Sequence, residues 1–135
     1  SEISQRIEEN NGCLDKNLFK LKLLNFLEIA KTKLNSLPSE IGNLENMMSL
    51  LCHTNCLVRI PVELGKLINL KNLDLSNNKI AELPSELKNL KELMTLNLSG
   101  NELQSLFPLE GFSKLAVLDI SRNKFKQLPD DLGSS

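Results

Sequence analysis

The residues best suited to chemistry in this chain are Cys52, His53 and Cys56, which lie within a stretch of five residues. Thiolate and imidazole groups are ligands that zinc prefers, and a structural zinc site needs four ligands. The spacing of Leu50 and Cys52 is that of a strand, in which successive side chains point to opposite faces. We therefore expect Cys52 to be a small core residue and His53 to point outward, so that one ion cannot bind both. No metal ion and no cofactor is predicted.

The chain also lacks the motifs of the common catalytic classes. It contains no Gly-rich phosphate loop, no HExxH and no GxSxG. His53 is the only histidine, so a Cys–His pair would have to use Cys56 or Cys13, with no nearby group to orient it. The carboxylates are spread singly, without the close pairing that tunes their pKa values for acid–base catalysis. We predict no catalytic residues and no enzymatic activity for this chain.

Composition narrows the class of protein further. The 135 residues suit one domain, and 30 leucines without Trp or Tyr predict an aliphatic core. The net charge of −1 argues against a dedicated nucleic-acid or anionic-membrane surface, and no apolar run reaches the ~18 residues of a membrane span. The three cysteines have no framework spacing, which predicts free thiols and a cytoplasmic location, with the nucleus as an alternative.

A repeat determines how these residues are positioned. Pro38, Pro61 and Pro84 are 23 residues apart, and leucines recur in phase around them. The repeats occupy 24–132, divided into 24–46, 47–69, 70–92, 93–114 and a partial fifth unit, 115–132. The fourth unit is one residue short, and we expect Leu109 and Phe112 to fill its outer core positions.

Each unit has the features of one coil of a stacked solenoid. The LxxLxL segment alternates as a short strand does, and the Leu-Pro step then ends the strand direction. The following stretch has apolar residues three apart, which fits a helical or 3₁₀ turn. An amide at the ninth position can bond backbone groups of neighbouring coils, with Thr32 replacing it in the first unit. The predicted ladder consists of Asn55, Asn78, Asn101 and Asn123.

The pattern LxxLxLxxNxLxxLPxxLxxLxx resembles the leucine-rich repeat family in its short 23-residue form. The resemblance implies an α/β repeat solenoid: a right-handed coil with a parallel sheet on its concave side and helical or 3₁₀ turns on its convex side. It also implies an intracellular, non-catalytic scaffold or adaptor that binds a protein or peptide through the concave face. The cysteine-rich caps of extracellular members are missing.

The two ends differ. Leu14, Leu18 and Leu21 fall in the phase of a convex half, and Ile3 and Ile7 are one helical turn apart, so residues 1–23 are predicted to be a helical N-terminal cap. Residues 133–135 form a tail with no matching cap. The sequence therefore predicts a longer natural protein, or a monomer or weak dimer that uses this C-terminal edge, or fraying of a natural short chain.

The strand positions that face away from the core are the candidate binding residues. Phe26 and Leu51 are large apolar groups, and Asp74, Asn97 and Asp119 form a polar, mildly acidic path. Such a face suits a partner with one hydrophobic anchor and basic groups. The alternatives are that Phe26 packs in the cap and that Leu51 is a scattered exposed residue. The full predicted set is Phe26, Glu28, Leu51, His53, Asp74, Asn97, Asp119 and Arg122.

A narrower resemblance offers a second function. Leu18-Phe19-Lys20-Leu21 and the continuation through Leu24-Asn25-Phe26-Leu27-Glu28-Ile29 look like the start of a leucine-rich repeat protein with a later part similar to the phenylalanyl-tRNA synthetase β subunit. That resemblance implies the N-terminal repeat domain of a translation-linked, RNA-associated protein. The lysines near the front are either part of this function or a solubilising surface.

Overall fold

The computed structural model describes residues 19–104 and 112–125. Five three-residue strands form one parallel sheet in sequence order, one strand for each repeat. The strands are β1 (Phe26–Glu28), β2 (Ser49–Leu51), β3 (Asn72–Asp74), β4 (Thr95–Asn97) and β5 (Val117–Asp119). The predicted repeat solenoid with a parallel sheet is therefore confirmed.

Three prolines come directly before the 3₁₀ helices, which lie on the side of the coil opposite the sheet. Pro38, Pro61 and Pro84 have extended backbones, with ψ between 146° and 161°, and each precedes a five-residue 3₁₀ helix. In every case the proline carbonyl accepts the N–H three residues later, at 3.1 Å. In a 3₁₀ helix, side chains three positions apart lie above one another. Two apolar residues with this spacing therefore both point to the core. The helices are Ser39–Asn43, Val62–Lys66 and Ser85–Asn89.

The core lies between the sheet and the 3₁₀ helices. The central strand residues Leu27, Leu50, Leu73 and Leu96 are paired across the sheet and are at most 5% exposed. Burying one leucine side chain stabilises the fold by about 1.5–3 kcal/mol. Within residues 19–104 and 112–125, Phe19 is the one aromatic side chain of the buried core, which otherwise consists of aliphatic side chains, Met47 and Cys52.

Buried asparagines connect successive coils. The Asn78 Oδ1 atom accepts the N–H of Leu57 at 3.0 Å, and its Nδ2 donates to the carbonyls of Cys52, Leu75 and Ser76 at 3.0–3.1 Å. The amides of Asn55, Asn101 and Asn123 bond in the same way. In the first coil, the backbone N–H and Oγ1 of Thr32 both donate to Asn55 Oδ1. These bonds satisfy polar groups that stacking removes from water.

Several expectations for the ends differ from the structure or lie outside the described residues. Leu21 is 55% exposed rather than buried, because Phe19 occupies the core at this end. At the other end Leu118, an expected core residue, is 41% exposed. Phe112 packs against the core as expected, whereas Leu109 lies outside the described residues. The cap over residues 1–18 and the segment 126–135, with its tail, also lie outside them.

Candidate binding face

The side chains that point away from the core form the open face of the sheet. The strand register arranges them in two rows that run across the five coils. The first row contains the residue that begins each strand: Phe26, Ser49, Asn72, Thr95 and Val117. The second row contains the residue that ends each strand: Glu28, Leu51, Asp74, Asn97 and Asp119.

Polar groups at the centre of the first row bond to one another. Asn72 Nδ2 donates to Ser49 Oγ at 2.9 Å, and Thr95 Oγ1 donates to Asn72 Oδ1 at 2.7 Å. The two residues at the ends of the row are apolar, and both are exposed: Phe26 is 53% exposed and Val117 is 56% exposed. The register pairs Phe26 with Ser49, so Phe26 and Leu51 are diagonal neighbours rather than direct partners.

The second row is built differently. Asp74 Oδ1 accepts both the N–H and the hydroxyl of Ser76, at 2.9 and 2.6 Å, and Asn97 accepts the same two bonds from Ser99. Strand alternation would place Ser76 and Ser99 on the open face, but they are only 5% and 3% exposed because these bonds draw their side chains against the backbone.

The fifth coil repeats this arrangement on the exposed Asp119. Its Oδ1 accepts the N–H and hydroxyl of Ser121, at 3.0 and 2.7 Å. The hydrogen bond from the Ser121 hydroxyl and then that from its backbone hold the pKa of Asp119 below the ordinary range, and the Arg122 charge lowers it further. Asp119 therefore remains ionised at neutral pH.

The first two coils lack this pairing. Their second-row residues, Glu28 and Leu51, are followed two positions later by Ala30 and His53 instead of serine. His53 Nε2 lies 3.7 Å from Glu28 Oε2, which is an ion pair only when the imidazole is protonated. Leu51 is half-buried between Glu28 and Asp74 in the register.

Sequence reasoning missed the turn that follows the strands. Each coil has a residue with a left-handed backbone there, with φ between 56° and 69°, and the first coil has a second one, Lys33, with φ 62°. The residues at equivalent positions are Lys31, Thr54, Asn77, Gly100 and Arg122. Asn and Gly adopt this conformation readily, whereas Thr rarely does. A Cβ atom on Gly100 would collide with Asn77 Oδ1, the atom to which Arg122 Nη2 donates at 3.3 Å. The presence of Asn and Gly at equivalent positions is the signal that could have indicated this turn.

Comparison with known proteins identifies the repeat. The family model described as leucine rich repeat matches residues 68–125. This part of the chain carries leucine-rich repeats. Comparison with curated proteins gave no significant match.

Solved structures share the fold of this chain. A leucine-rich repeat protein of Leptospira interrogans is 38% identical with a TM-score of 0.83, and the match covers 88% of this chain and 31% of that chain. An internalin from Listeria monocytogenes is 26% identical, with a TM-score of 0.72 and coverages of 85% and 34%. The plant peptide hormone receptor RGFR1 in complex with RGF2 is 25% identical, with a TM-score of 0.73 and coverages of 83% and 19%. The chain thus spans about a third or less of each of these structures.

Cys52 and His53, whose side-chain types suit zinc, lie on different sides of the backbone. Cys52 is fully buried and unpaired, and burial, followed by the charge of Asp74, raises the pKa of its thiol to about 12. His53 is on the opposite, open side of the backbone. Over residues 19–104 and 112–125, no group of three or more His, Cys, Asp or Glu side chains could hold a metal ion. The same residues include no helix with the length and apolar character needed to cross a bilayer.

Proposed function

We propose that this chain is a non-catalytic interaction module, a scaffold or adaptor, that binds a partner protein or peptide through the open, concave face of its sheet. The observation that supports this most directly is the difference in side-chain burial between the two sides of the backbone. On one side, the leucine side chains are buried and the asparagine amides are hydrogen-bonded. On the other side, Phe26 and Asp119 are exposed, and Leu51 and Asp74 are half-buried.

Rigidity of this face favours binding. The side chains of Asn72, Asp74, Asn97 and Asp119 are each held by hydrogen bonds to neighbouring residues. A partner therefore has fewer rotamers to immobilise, which lowers the entropy cost of association. Exposed apolar groups beside fixed polar groups supply the anchor and the orientation that specific interfaces require.

A pull-down with matched variants tests the proposal. The test variant carries Leu51→Arg and Asp74→Arg on the open face, and the control carries Ile68→Arg and Glu86→Arg on the side of the 3₁₀ helices. Each variant replaces one apolar residue and one carboxylate by arginine, and circular dichroism verifies that each is folded. We expect defined proteins, identified by mass spectrometry, to be retained by wild type and control but lost with the test variant. Equal retention by all three proteins would refute binding through the open face.

The translation-linked, RNA-associated function remains the second candidate. It is favoured by exposed lysines near the first coil, Lys20, Lys22, Lys31 and Lys33. Nuclease treatment in the same pull-down separates the two functions, because RNA-dependent retention by all three proteins supports this candidate. A cytoplasmic or nuclear location stays a prediction that cell fractionation tests. A monomer or weak dimer through the C-terminal edge, where Leu118 is 41% exposed, stays a prediction that light scattering tests.

A further inference from the structure

The hydrogen bonds of the open face restrict what a partner can offer it. In the first row, Asn72 uses one N–H of its amide on Ser49 and one lone pair of its oxygen on Thr95, so part of the hydrogen-bonding capacity at the centre of that row is already taken. The hydroxyls of Ser76 and Ser99 are likewise bonded to the second row. The capacity to bind a new polar group is therefore concentrated in the second row.

The carboxylates of that row retain free acceptor capacity. Both hydrogen bonds to Asp74 and both to Asp119 end on Oδ1. In the described part of the chain, neither residue has a salt bridge, and Oδ2 of each accepts no hydrogen bond. Glu28 adds a third carboxylate to the row, and the row contains no cationic residue. A partner must therefore supply donors, and cationic donors bind carboxylates most strongly.

We propose that the second row binds an extended basic peptide with an apolar residue at position i and Arg or Lys at positions i+2 and i+4. The apolar side chain contacts Leu51, the i+2 residue binds Asp74, and the i+4 residue binds Asp119. This inference rests on the proposed function, because it names the class of partner for the same face.

The spacing follows from the register. Neighbouring strands are about 4.8 Å apart, so Asp74 lies one strand and Asp119 three strands from Leu51, at about 5 and 14 Å. Alternate residues of an extended peptide point to the same side and are about 6.7 Å apart, which places i+2 and i+4 at about 7 and 13 Å. The flexible arginine or lysine side chain absorbs the remaining 1–2 Å.

Two synthetic peptides of identical composition test this register. The first has the order Leu-Ser-Arg-Ser-Arg, and the second, Leu-Ser-Arg-Arg-Ser, moves one arginine to the side facing away from the sheet. Fluorescence anisotropy with labelled peptides at low salt should show about fivefold tighter binding of the first peptide, the effect of one exposed ion pair. Equal affinities, or no saturable binding of the first peptide, would overturn the proposal.

Variants of the protein identify the contacts. Asp74→Asn preserves the turn, since Asn97 makes the same two bonds to its serine, and it should weaken binding of the first peptide about fivefold. The matched control, Glu86→Gln in the third 3₁₀ helix, should leave the affinity unchanged. Replacing the i+2 arginine by glutamine should remove most of the effect of Asp74→Asn, whereas replacing the i+4 arginine should not.

Other outcomes have defined meanings. An equal loss from Asp74→Asn and Glu86→Gln would show long-range attraction without the register, and it would overturn the proposal. Preferential binding of a helical peptide with basic groups at helical spacing would also overturn it. If the peptides fail while the pull-down still depends on Leu51 and Asp74, the inference is wrong and the proposed function stands. If both experiments fail, the open face is not the binding site.

Discussion

Replacing Asn78 by Asp tests the role of the buried amide with almost no change in shape. The substitution keeps the Oδ1 atom that accepts the Leu57 N–H, but it replaces the donating Nδ2 by an oxygen. That new oxygen faces the carbonyls of Cys52, Leu75 and Ser76 at 3.0–3.1 Å. Three attractive contacts thus become three repulsive ones inside the core.

The size of the destabilisation depends on the hydrogen bonds that the three carbonyls keep. Each retains a second donor, from Asn55 Nδ2, Asn101 Nδ2 and the Thr54 N–H respectively. No carbonyl is left without a partner, so the cost is three shared hydrogen bonds at about 0.5–1.5 kcal/mol each plus the desolvation of a carboxylate. We expect the free energy of unfolding to fall by about 3–5 kcal/mol at neutral pH.

The pH dependence gives this prediction a distinctive sign. Burial and the three carbonyl dipoles raise the pKa of the introduced carboxyl in the folded state above its unfolded value of about 3.9. The protonated acid can donate to one carbonyl, so the folded variant binds protons more tightly than the unfolded chain. Relative to wild type, the loss of stability is therefore smallest below pH ~4 and grows as the pH rises through the folded pKa.

Urea unfolding followed by circular dichroism over a range of pH measures both effects. Asn25→Asp is the matched control, because the same chemical change then occurs on an exposed side chain outside the turn, and it should alter stability by less than about 0.5 kcal/mol. Equal effects of the two substitutions, or a pH-independent loss for the buried one, would refute the reasoning.

Three further predictions concern the turn, the coil spacing and the thiols. Thr54→Asn should stabilise the fold by about 1 kcal/mol in urea unfolding, because Thr54 has a φ of 59° that Asn adopts more readily. Gly65→Ala should destabilise it by about 1–3 kcal/mol in the same assay, because the new Cβ atom would lie 2.5 Å from the backbone oxygen of Glu86. With the cysteine outside the described residues replaced by serine, a maleimide should label half-buried Cys56 in the native protein and Cys52 only after unfolding, as mass spectrometry would show. A native Cys52 that reacts at neutral pH would contradict both its burial and its pKa of about 12.

Sequence reasoning predicted the features that depend on periodicity. The LxxLxL spacing correctly placed Leu50 and Leu73 in the core, because a strand that buries one face must alternate. It also placed Cys52 in the core, because Cys52 continues the alternation of Leu50. These features repeat in every coil, so one physical constraint determines all five copies.

Features that depend on particular contacts between residues were not predictable in this way. The burial of Ser76 results from its bonds to Asp74, and the left-handed backbone of Thr54 is imposed by neighbouring coils, since Thr itself disfavours it. Leu118 follows the same pattern as Leu96, yet it is 41% rather than 1% exposed because burial requires a neighbour on both sides. The repeat pattern predicts whether a side chain points to the core, whereas its exposure depends on whether a neighbouring coil packs against it.

The open face combines two chemically different halves, and the second row shows why. An Asp or Asn in this row always occurs with a serine two positions later, as in Asp74 and Ser76, and the bond between them fixes both side chains. Where the acceptor is missing, as at Leu51, the serine is missing as well, and His53 stands in its place. The pairing therefore requires a match between two positions of the same coil, and the first two coils fold without it. Asp and Asn satisfy that match equally but differ in charge, so this row can change its partner while the scaffold beneath it stays the same.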